Sequence, residues 1–288
     1  MILSLNYNSD NDVMILGSGG QLGSELRKLY PGAVCYYHSP DGPNFLDFRD
    51  LKKLENTIIN SKVKWIINAA AFTNVDMCET KKEIAYSVNS LAVKSIVKAS
   101  IKIEANLVHI STDYIFDGVK GYYKELDVPN PLNYYGISKL IGETFAQSYE
   151  NSIVVRTSGI YGSKNNFPIY VYKNLKDHKN VNVLDGYYSP IHAENLALAI
   201  KLLIDDDMFG LYNVGGIRTS RMDLALQLAR KYRLDATLIN KVDKLDSMKA
   251  VRPFDSSLDI SVAKKIINFD FYSYESNLQC FDNTISNL

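Results

Sequence analysis

The chain lacks any pattern of paired cysteines. Among its 288 residues Cys35, Cys78 and Cys280 stand far apart, with neither disulfide-like nor metal-ligand spacing. A reducing cytoplasm is therefore the expected setting, and no metal site is expected. An excess of charge of one sign is missing too. Lys and Arg number 32, as do Asp and Glu, and a formally neutral chain gives no reason to expect nucleic acid as a partner. No run nears the ~18 apolar residues that a membrane span needs. Met1 to Asp12 has no basic cluster leading into an apolar stretch, so neither a membrane partner nor a signal peptide is expected. Internal repeats and low-complexity linkers are absent as well. What is present is a chain 46% hydrophobic, ample for a buried core in one large domain or two small ones.

After a polar extension over residues 1–12, short apolar runs alternate with helical stretches. Strands are expected at 13–16, 33–37, 63–68, 107–110 and 153–155. Helices are expected at 22–29, 51–59, 81–100 and 135–149. Short strands separated by helices lie parallel and are joined by crossovers, which predicts an α/β fold with a doubly wound parallel sheet of Rossmann type. Beyond Arg156 the pattern loosens, with helices expected at 165–176, 191–204 and 221–232 and strands at 181–184 and 211–214. The expected division is a dinucleotide-binding domain over 13–160 and, over 161–288, mainly a smaller substrate-binding lobe that partly returns to the first body.

The first strand runs directly into Gly17-Ser18-Gly19-Gly20-Gln21-Leu22-Gly23 and then into a helix. Glycines permit a tight turn and let backbone approach a pyrophosphate, while the helix N-terminus offers free N–H groups. The spacing departs from Gly-x-Gly-x-x-Gly, and a purely structural turn is the alternative. The strand–turn–helix setting favours cofactor binding by Gly17, Gly19, Gly20, Gln21 and Leu22. The second strand ends at Tyr37-His38-Ser39 without the carboxylate that would select the ribose of NAD. The nearest acid is Asp41. That absence tolerates a 2′-phosphate, to which Ser39 could donate, but no arginine is evident to grip it, so the cofactor is read as NADP(H) or NAD(H). His38 reads as an ordinary loop histidine.

Asp47 and Phe48 sit where a loop could reach the adenine, with helix capping or plain exposure as the alternative for Asp47. Ala69, Ala70 and Ala71, after the third strand, are small enough for a cofactor to lie against the backbone, or for tight helix packing. The fourth strand ends in Ser111-Thr112-Asp113, where open α/β sheets place ligands. The Thr112 hydroxyl suits a substrate carbonyl; a turn cap is the alternative. Asp113, Asp117 and Gly118 read as turn structure. Tyr135 and Lys139, four residues apart, fall on one helix face. A nearby ammonium is expected to lower the phenol toward neutrality and make it a proton donor. Asn89, within the long helix, is expected to belong to the cofactor site, acting near Lys139 through water or backbone, with a plain exposed polar residue as the alternative.

These segments occur in a fixed order. With Asn68-Ala69-Ala70-Ala71-Phe72-Thr73-Asn74-Val75-Asp76, Ser111-Thr112-Asp113-Tyr114-Ile115-Phe116-Asp117-Gly118, Pro131-Leu132-Asn133-Tyr134-Tyr135-Gly136-Ile137-Ser138-Lys139 and Arg156-Thr157-Ser158, the chain resembles the extended short-chain dehydrogenase/reductases. Within them it resembles the dTDP-4-dehydrorhamnose reductases, over roughly 13–259. The resemblance implies reduction of a nucleotide-linked 4-keto-6-deoxy sugar by hydride from a nicotinamide. Thr112 would bind the carbonyl, Tyr135 would be the general acid, and Lys139 would bind the nicotinamide ribose and tune the tyrosine. Phe72, Thr73, Val75, Asp113, Gly159 and Arg252 are then expected to line the sugar nucleotide.

Two departures stand out. Gly159 follows Ser158 where the family commonly has a tryptophan bordering the sugar, which predicts a roomier, permissive pocket. Tyr114 stands where related dehydratases carry an acid after Thr-Asp, so dehydration is disfavoured. Arg252 is expected to meet the diphosphate, with a surface ion pair as the alternative, and Arg156 to make a structural pair beneath the site. The competing functions are a non-catalytic regulatory subunit like the β-subunit of methionine adenosyltransferase, and reduction of another ketone. The expected partner is a nucleotide-sugar substrate, and a homodimer is left open.

Overall fold

The computed structural model describes residues 12–243 and 248–286, so all of the expected polar extension except Asp12 lies outside the described residues. Strands and helices alternate along the first half: β1 (Val13–Leu16), α1 (Gln21–Leu29), β2 (Val34–Tyr36), α2 (Leu51–Ser61), β3 (Trp65–Asn68), α3 (Val75–Thr80), α4 (Lys82–Tyr86), α5 (Ala92–Ile103), β4 (Asn106–Thr112), α6 (Tyr134–Gln147) and β5 (Ser152–Thr157). The second half adds β6 (Ile160–Tyr161), α7 (Phe167–Lys176), β7 (Val181–Leu184), β8 (Tyr187–Tyr188), β9 (Ile191–His192), α8 (Ala193–Asp205) and β10 (Gly210–Asn213). It closes with β11 (Thr219–Ser220), α9 (Arg221–Lys231), β12 (Ile239–Val242), α10 (Ser261–Ile266) and α11 (Tyr274–Ile285).

Six parallel strands form the central sheet in the order β2-β1-β3-β4-β5-β10. Its strands are apolar on both faces because both faces are covered. Val13, Ile15, Trp65, Ile67, Val108, Ile153 and Val155 pack into one core with residues of α1 and α8. Their alternates Met14, Leu16, Ile66, Leu107 and Val154 pack into a second core with α2 and α5. A third core, around Val171, Val183, Leu228 and Phe281, holds the α7, β7, α9 and α11 lobe together. No described helix is long and apolar enough to cross a membrane.

The sequence turns back between β1 and β3, so a crevice opens at the carboxyl ends of these strands. Leu16, Asn68 and His109 are level across the sheet, and β4 runs on past His109 to Thr112 beside Thr157 of β5. Thr112 is thereby carried past the level at which β1 ends.

One expected element is broken. The helix expected over 81–100 is α4, a π-helical turn at Ser87–Leu91, and α5. The reason is the neighbouring helix: a Cβ at Gly142 of α6 would lie 2.0 Å from the Asn89 carbonyl oxygen. The widened turn delivers Asn89 into contact with α6, as functional π-bulges do.

Candidate active site

A cavity of about 880 Å³ runs along the carboxyl edge of the sheet. Gly17, Gly19, Gly20, Gln21 and Leu22 line one end. Gly17 has φ +82, and a Cβ there would lie 2.6 Å from the Ala70 nitrogen, so only glycine fits. Ala69, Ala70 and Ala71 line the same end of the cavity, with Ala70 packed against the glycine turn. Gly20 caps α1 without a side-chain hydrogen bond, which leaves the first helical amides for a ligand. Gln21 also bridges to the second lobe, accepting from the Lys164 backbone at 3.0 Å and donating to its carbonyl at 3.2 Å.

Past the glycine turn, His38, Ser39, Phe48 and Arg49 line the cavity. Asp47 does not. Its carboxylate grips the Arg49 guanidinium from both oxygens, at 2.6 to 3.0 Å, and accepts from the Arg49 backbone. These bonds hold its carboxyl down to about 2. Asp47 is therefore a holder of Arg49 in this structure, and α2 is capped by Asp50 instead. Arg49 is a cavity-lining cation that the local pattern of the second strand does not announce, because it lies beyond that strand on a loop that doubles back: Leu46 donates to the Tyr37 carbonyl at 2.9 Å.

At the opposite end, Thr112, Tyr135 and Lys139 converge. Tyr135 lies in the first turn of α6, whose start is fixed by Asn133 accepting from the Gly136 amide at 2.9 Å and donating to the Val251 carbonyl at 2.9 Å. Gly136 permits close packing, since a Cβ there would lie 2.2 Å from the Tyr114 carbonyl oxygen. Lys139 lies one turn on, buried, with Nζ donating to the Ile110 carbonyl at 2.6 Å. Burial lowers it from 10.5 to about 8, against the pull of Glu143. The expected lowering of the tyrosine is not found. Burial pushes Tyr135 up; the Thr112 hydroxyl opposes this, while Asp113, Cys78 and Tyr114 reinforce it. The phenol stays protonated, the form a proton donor needs.

Asn89 does not line the cavity. It accepts from the Phe72 amide at 2.8 Å and donates to the Phe72 carbonyl at 3.1 Å and to Ser138 Oγ at 3.0 Å. It ties the Phe72 loop to the Tyr135–Lys139 helix, a positioning role rather than a cofactor contact. Arg156 makes the expected pair beneath the site. Its guanidinium is buried against Glu143 at 2.6 Å, and Glu143 also accepts from Ser111 at 2.5 Å.

Phe72, Thr73, Val75, Asp113 and Gly159 all line the cavity. Asp113 is more than a turn residue. Buried, it accepts from Ser158 and Ser256 at 2.6 Å and from Thr112 at 3.1 Å, and burial raises its pKa despite these donors. It gathers β4, β5 and the 255–257 segment around the site. Arg252 does not line the cavity: it pairs with Asp76 at 2.6 Å. A cation that does line it near Gly159 is Arg221, the first residue of α9, stacked at 4.7 Å over the Tyr188 ring with Nη1 buried and without a hydrogen-bond partner among the described residues. Sequence reasoning passed over it because nothing in its local context links it to a strand end.

Gly159 is not beside open space either. A Cβ there would lie 2.6 Å from Tyr188 Cε2, so the roomier pocket expected from glycine is filled by a ring from elsewhere in the chain.

A glycine turn at the switch point of a doubly wound sheet, facing a Tyr–Lys pair on the neighbouring helix, defines an extended short-chain dehydrogenase/reductase. More narrowly, the family described as the RmlD substrate binding domain matches residues 11–286, and the chain belongs to that family. A dTDP-4-dehydrorhamnose reductase of Aggregatibacter actinomycetemcomitans is 34% identical over 271 residues, 86% of this chain and 90% of the relative. Among solved structures, a hypothetical dTDP-4-dehydrorhamnose reductase from Sulfolobus tokodaii is 49% identical, with a TM-score of 0.87 over 90% of this chain and 96% of that one. The dTDP-4-dehydrorhamnose reductase of Bacillus anthracis, solved in complex with NADP, is 28% identical, with a TM-score of 0.85 over 94% of this chain and 97% of that one.

Proposed function

We propose that this protein reduces the C4 ketone of a nucleotide-linked 4-keto-6-deoxy sugar, converting dTDP-4-dehydrorhamnose to dTDP-L-rhamnose. The observation that carries the reading is the meeting of Thr112, Tyr135 and Lys139 in one cavity with the glycine turn. The residues present fit a dinucleotide: Gly17 to Leu22 would hold the pyrophosphate, Ala69 to Ala71 would flank the adenosine and nicotinamide riboses, and Lys139 would meet the nicotinamide ribose. NADPH, when bound, supplies the hydride. Thr112 and Tyr135 would stabilise by hydrogen bonding the charge that develops on the ketone oxygen during reduction. Tyr135 delivers its proton to that oxygen, and the phenolate left behind recovers a proton from solvent.

Residues 13–160 carry the cofactor in this reading, and 161–288 mainly the sugar nucleotide, with β10 returning to the sheet. Arg221 is the group we assign to the diphosphate, being cationic, half-buried and with a buried Nη1 that has no hydrogen-bond partner among the described residues. Arg49, with Ser39 beside it, favours NADPH over NADH. Three free cysteines support a cytoplasmic setting. The test is steady-state NADPH oxidation with dTDP-4-dehydrorhamnose and identification of the sugar product. Binding of NADPH without turnover of any nucleotide 4-keto sugar would overturn the reading in favour of a regulatory subunit.

A further inference from the structure

Tyr188 occupies the place that a side chain at position 159 would otherwise fill. An ideal Cβ on Gly159 would meet Tyr188 Cε2 at 2.6 Å and Cδ2 at 2.9 Å, so the ring rests on the glycine. The two segments are locked in register. Ser189 donates its amide to Ser158 Oγ at 3.2 Å, and Ile191 donates to the Gly159 carbonyl at 3.4 Å. On its other flank Tyr188 pairs with Thr219 of β11, next to the Arg221 guanidinium that stacks on the ring.

The ring is 6% exposed, and its hydroxyl is buried with no hydrogen-bond partner among the described residues. Tyr188 nevertheless lines the same cavity as Thr112, Tyr135, Gly159 and Arg221. A buried phenol left unpaired costs stability unless something in the cavity satisfies it. A ring standing beside the reacting end, with a free hydroxyl at its tip, suits a pyranose: an apolar face to lie on and one polar atom to read a hydroxyl.

We propose that Tyr188 is a sugar-recognition residue, its ring walling the sugar pocket over Gly159 and its hydroxyl hydrogen-bonding a hydroxyl of the pyranose. The inference rests on the nucleotide-sugar reading of the site. It turns a glycine that suggests permissiveness into part of a selective wall, since a site built to pair a substrate hydroxyl rejects ligands that lack it far better than an apolar wall can.

Calorimetry on the full chain with saturating NADP separates the two ideas, using dTDP and dTDP-rhamnose as probes. Tyr188→Phe keeps the ring and removes the hydroxyl, so dTDP-rhamnose affinity is expected to fall roughly tenfold while dTDP affinity stays unchanged. Gly159→Ala, at a backbone with no positive φ, pushes a methyl into the ring and is expected to weaken dTDP-rhamnose similarly, with NADP binding intact. Thermal melting of both variants checks that the fold survives. Unchanged dTDP-rhamnose binding in Tyr188→Phe, or equal loss for dTDP and dTDP-rhamnose, overturns the role of Tyr188 while leaving the reductase reading standing. Wild-type protein that binds neither dTDP nor dTDP-rhamnose overturns both.

Discussion

The two ends of the cavity are built from different materials. The end proposed for the cofactor is largely backbone: a glycine turn and a helix N-terminus without a side-chain cap, with Ala69 and Ala70 pressed against the turn. The end proposed for the sugar is gathered from distant places, with Phe72 from one loop, Asp113 after β4, Gly159 after β5, Tyr188 on β8 and Arg221 on α9. Backbone can approach a ligand only where consecutive residues are small, so the first end leaves a local signature. A wall of side chains can be completed from any segment the fold brings near. At the sugar end a given position therefore predicts little by itself, and Gly159 misleads when read without Tyr188.

Tyr135 stands where the two ends meet, and its loss is expected to have the largest effect. Tyr135→Phe removes the proton donor alone, so turnover should fall by about 10²–10⁴-fold, with NADPH and sugar-nucleotide affinities nearly unchanged. Stopped-flow turnover beside calorimetric titration checks this. Near-wild-type turnover would take Tyr135 out of the mechanism and leave two binding ends with no chemistry between them.

Next in size is a pH effect at the same junction. Lys139 is lowered from 10.5 to about 8 by burial, and it is the ammonium form that would bond the nicotinamide ribose. As pH rises through about 8 the free enzyme loses that charge, so NADPH affinity should decline above it, approaching tenfold per unit. The Tyr135 phenol, pushed up by burial, remains protonated throughout this window. Lys139→Met should be weak at neutral pH and flat above it. An alkaline limb that persists in Lys139→Met would assign the titration to another group.

Arg49 sharpens the comparison from the proposed cofactor end, where it lines the cavity together with Ser39 and would meet the 2′-phosphate of NADPH. Its removal should distinguish two cofactors that differ by one phosphate. Arg49→Met is expected to weaken NADPH by about tenfold, as for an exposed charge-assisted bond, and to leave NADH unaffected. Equal losses for the two cofactors, in side-by-side titrations, would mean that Arg49 only steadies the loop through Asp47.

Much of this architecture is legible in the sequence, and the limits have physical causes. Strand β1 with its glycine turn, the alanines after β3, Thr112 and the Tyr135–Lys139 pair each follow from a local rule. The π-helical turn at Ser87–Leu91 does not, because it is set by the approach of Gly142 from another helix. Asp113 reads as a turn acid until Ser158 and Ser256, far along the chain, are found donating to it. Helix α11 does follow a local rule: Tyr274, Leu278, Phe281 and Ile285 repeat at helical spacing, Leu278 and Phe281 lying in the core of the second lobe with Tyr274 and Ile285 packed against it.

The smallest effect is expected at the arginine that the sequence favoured. Arg252 donates to both oxygens of Asp76, at 3.1 and 2.6 Å, and Asp76 also accepts the amides of Lys249 and Ala250 at 2.7 and 2.9 Å. Despite partial burial, these donors hold Asp76 down from 3.8 to about 2. The pair fastens the 249–252 segment to α3, which makes it a structural clasp rather than a diphosphate ligand. Arg252→Ala should leave sugar-nucleotide affinity nearly unchanged, whereas Arg221→Ala should weaken it markedly. The stability lost with Arg252 should be modest, about 1 kcal/mol for a partly exposed pair, and it should depend on pH. A carboxylate whose folded pKa is depressed contributes fully above its unfolded pKa, here 3.8, and loses that contribution as pH falls through about 2. The melting deficit of Arg252→Ala relative to wild type should therefore be present at neutral pH and shrink in that acid window. A large loss of dTDP affinity in Arg252→Ala, with Arg221→Ala unaffected, would reverse the assignment of the two arginines.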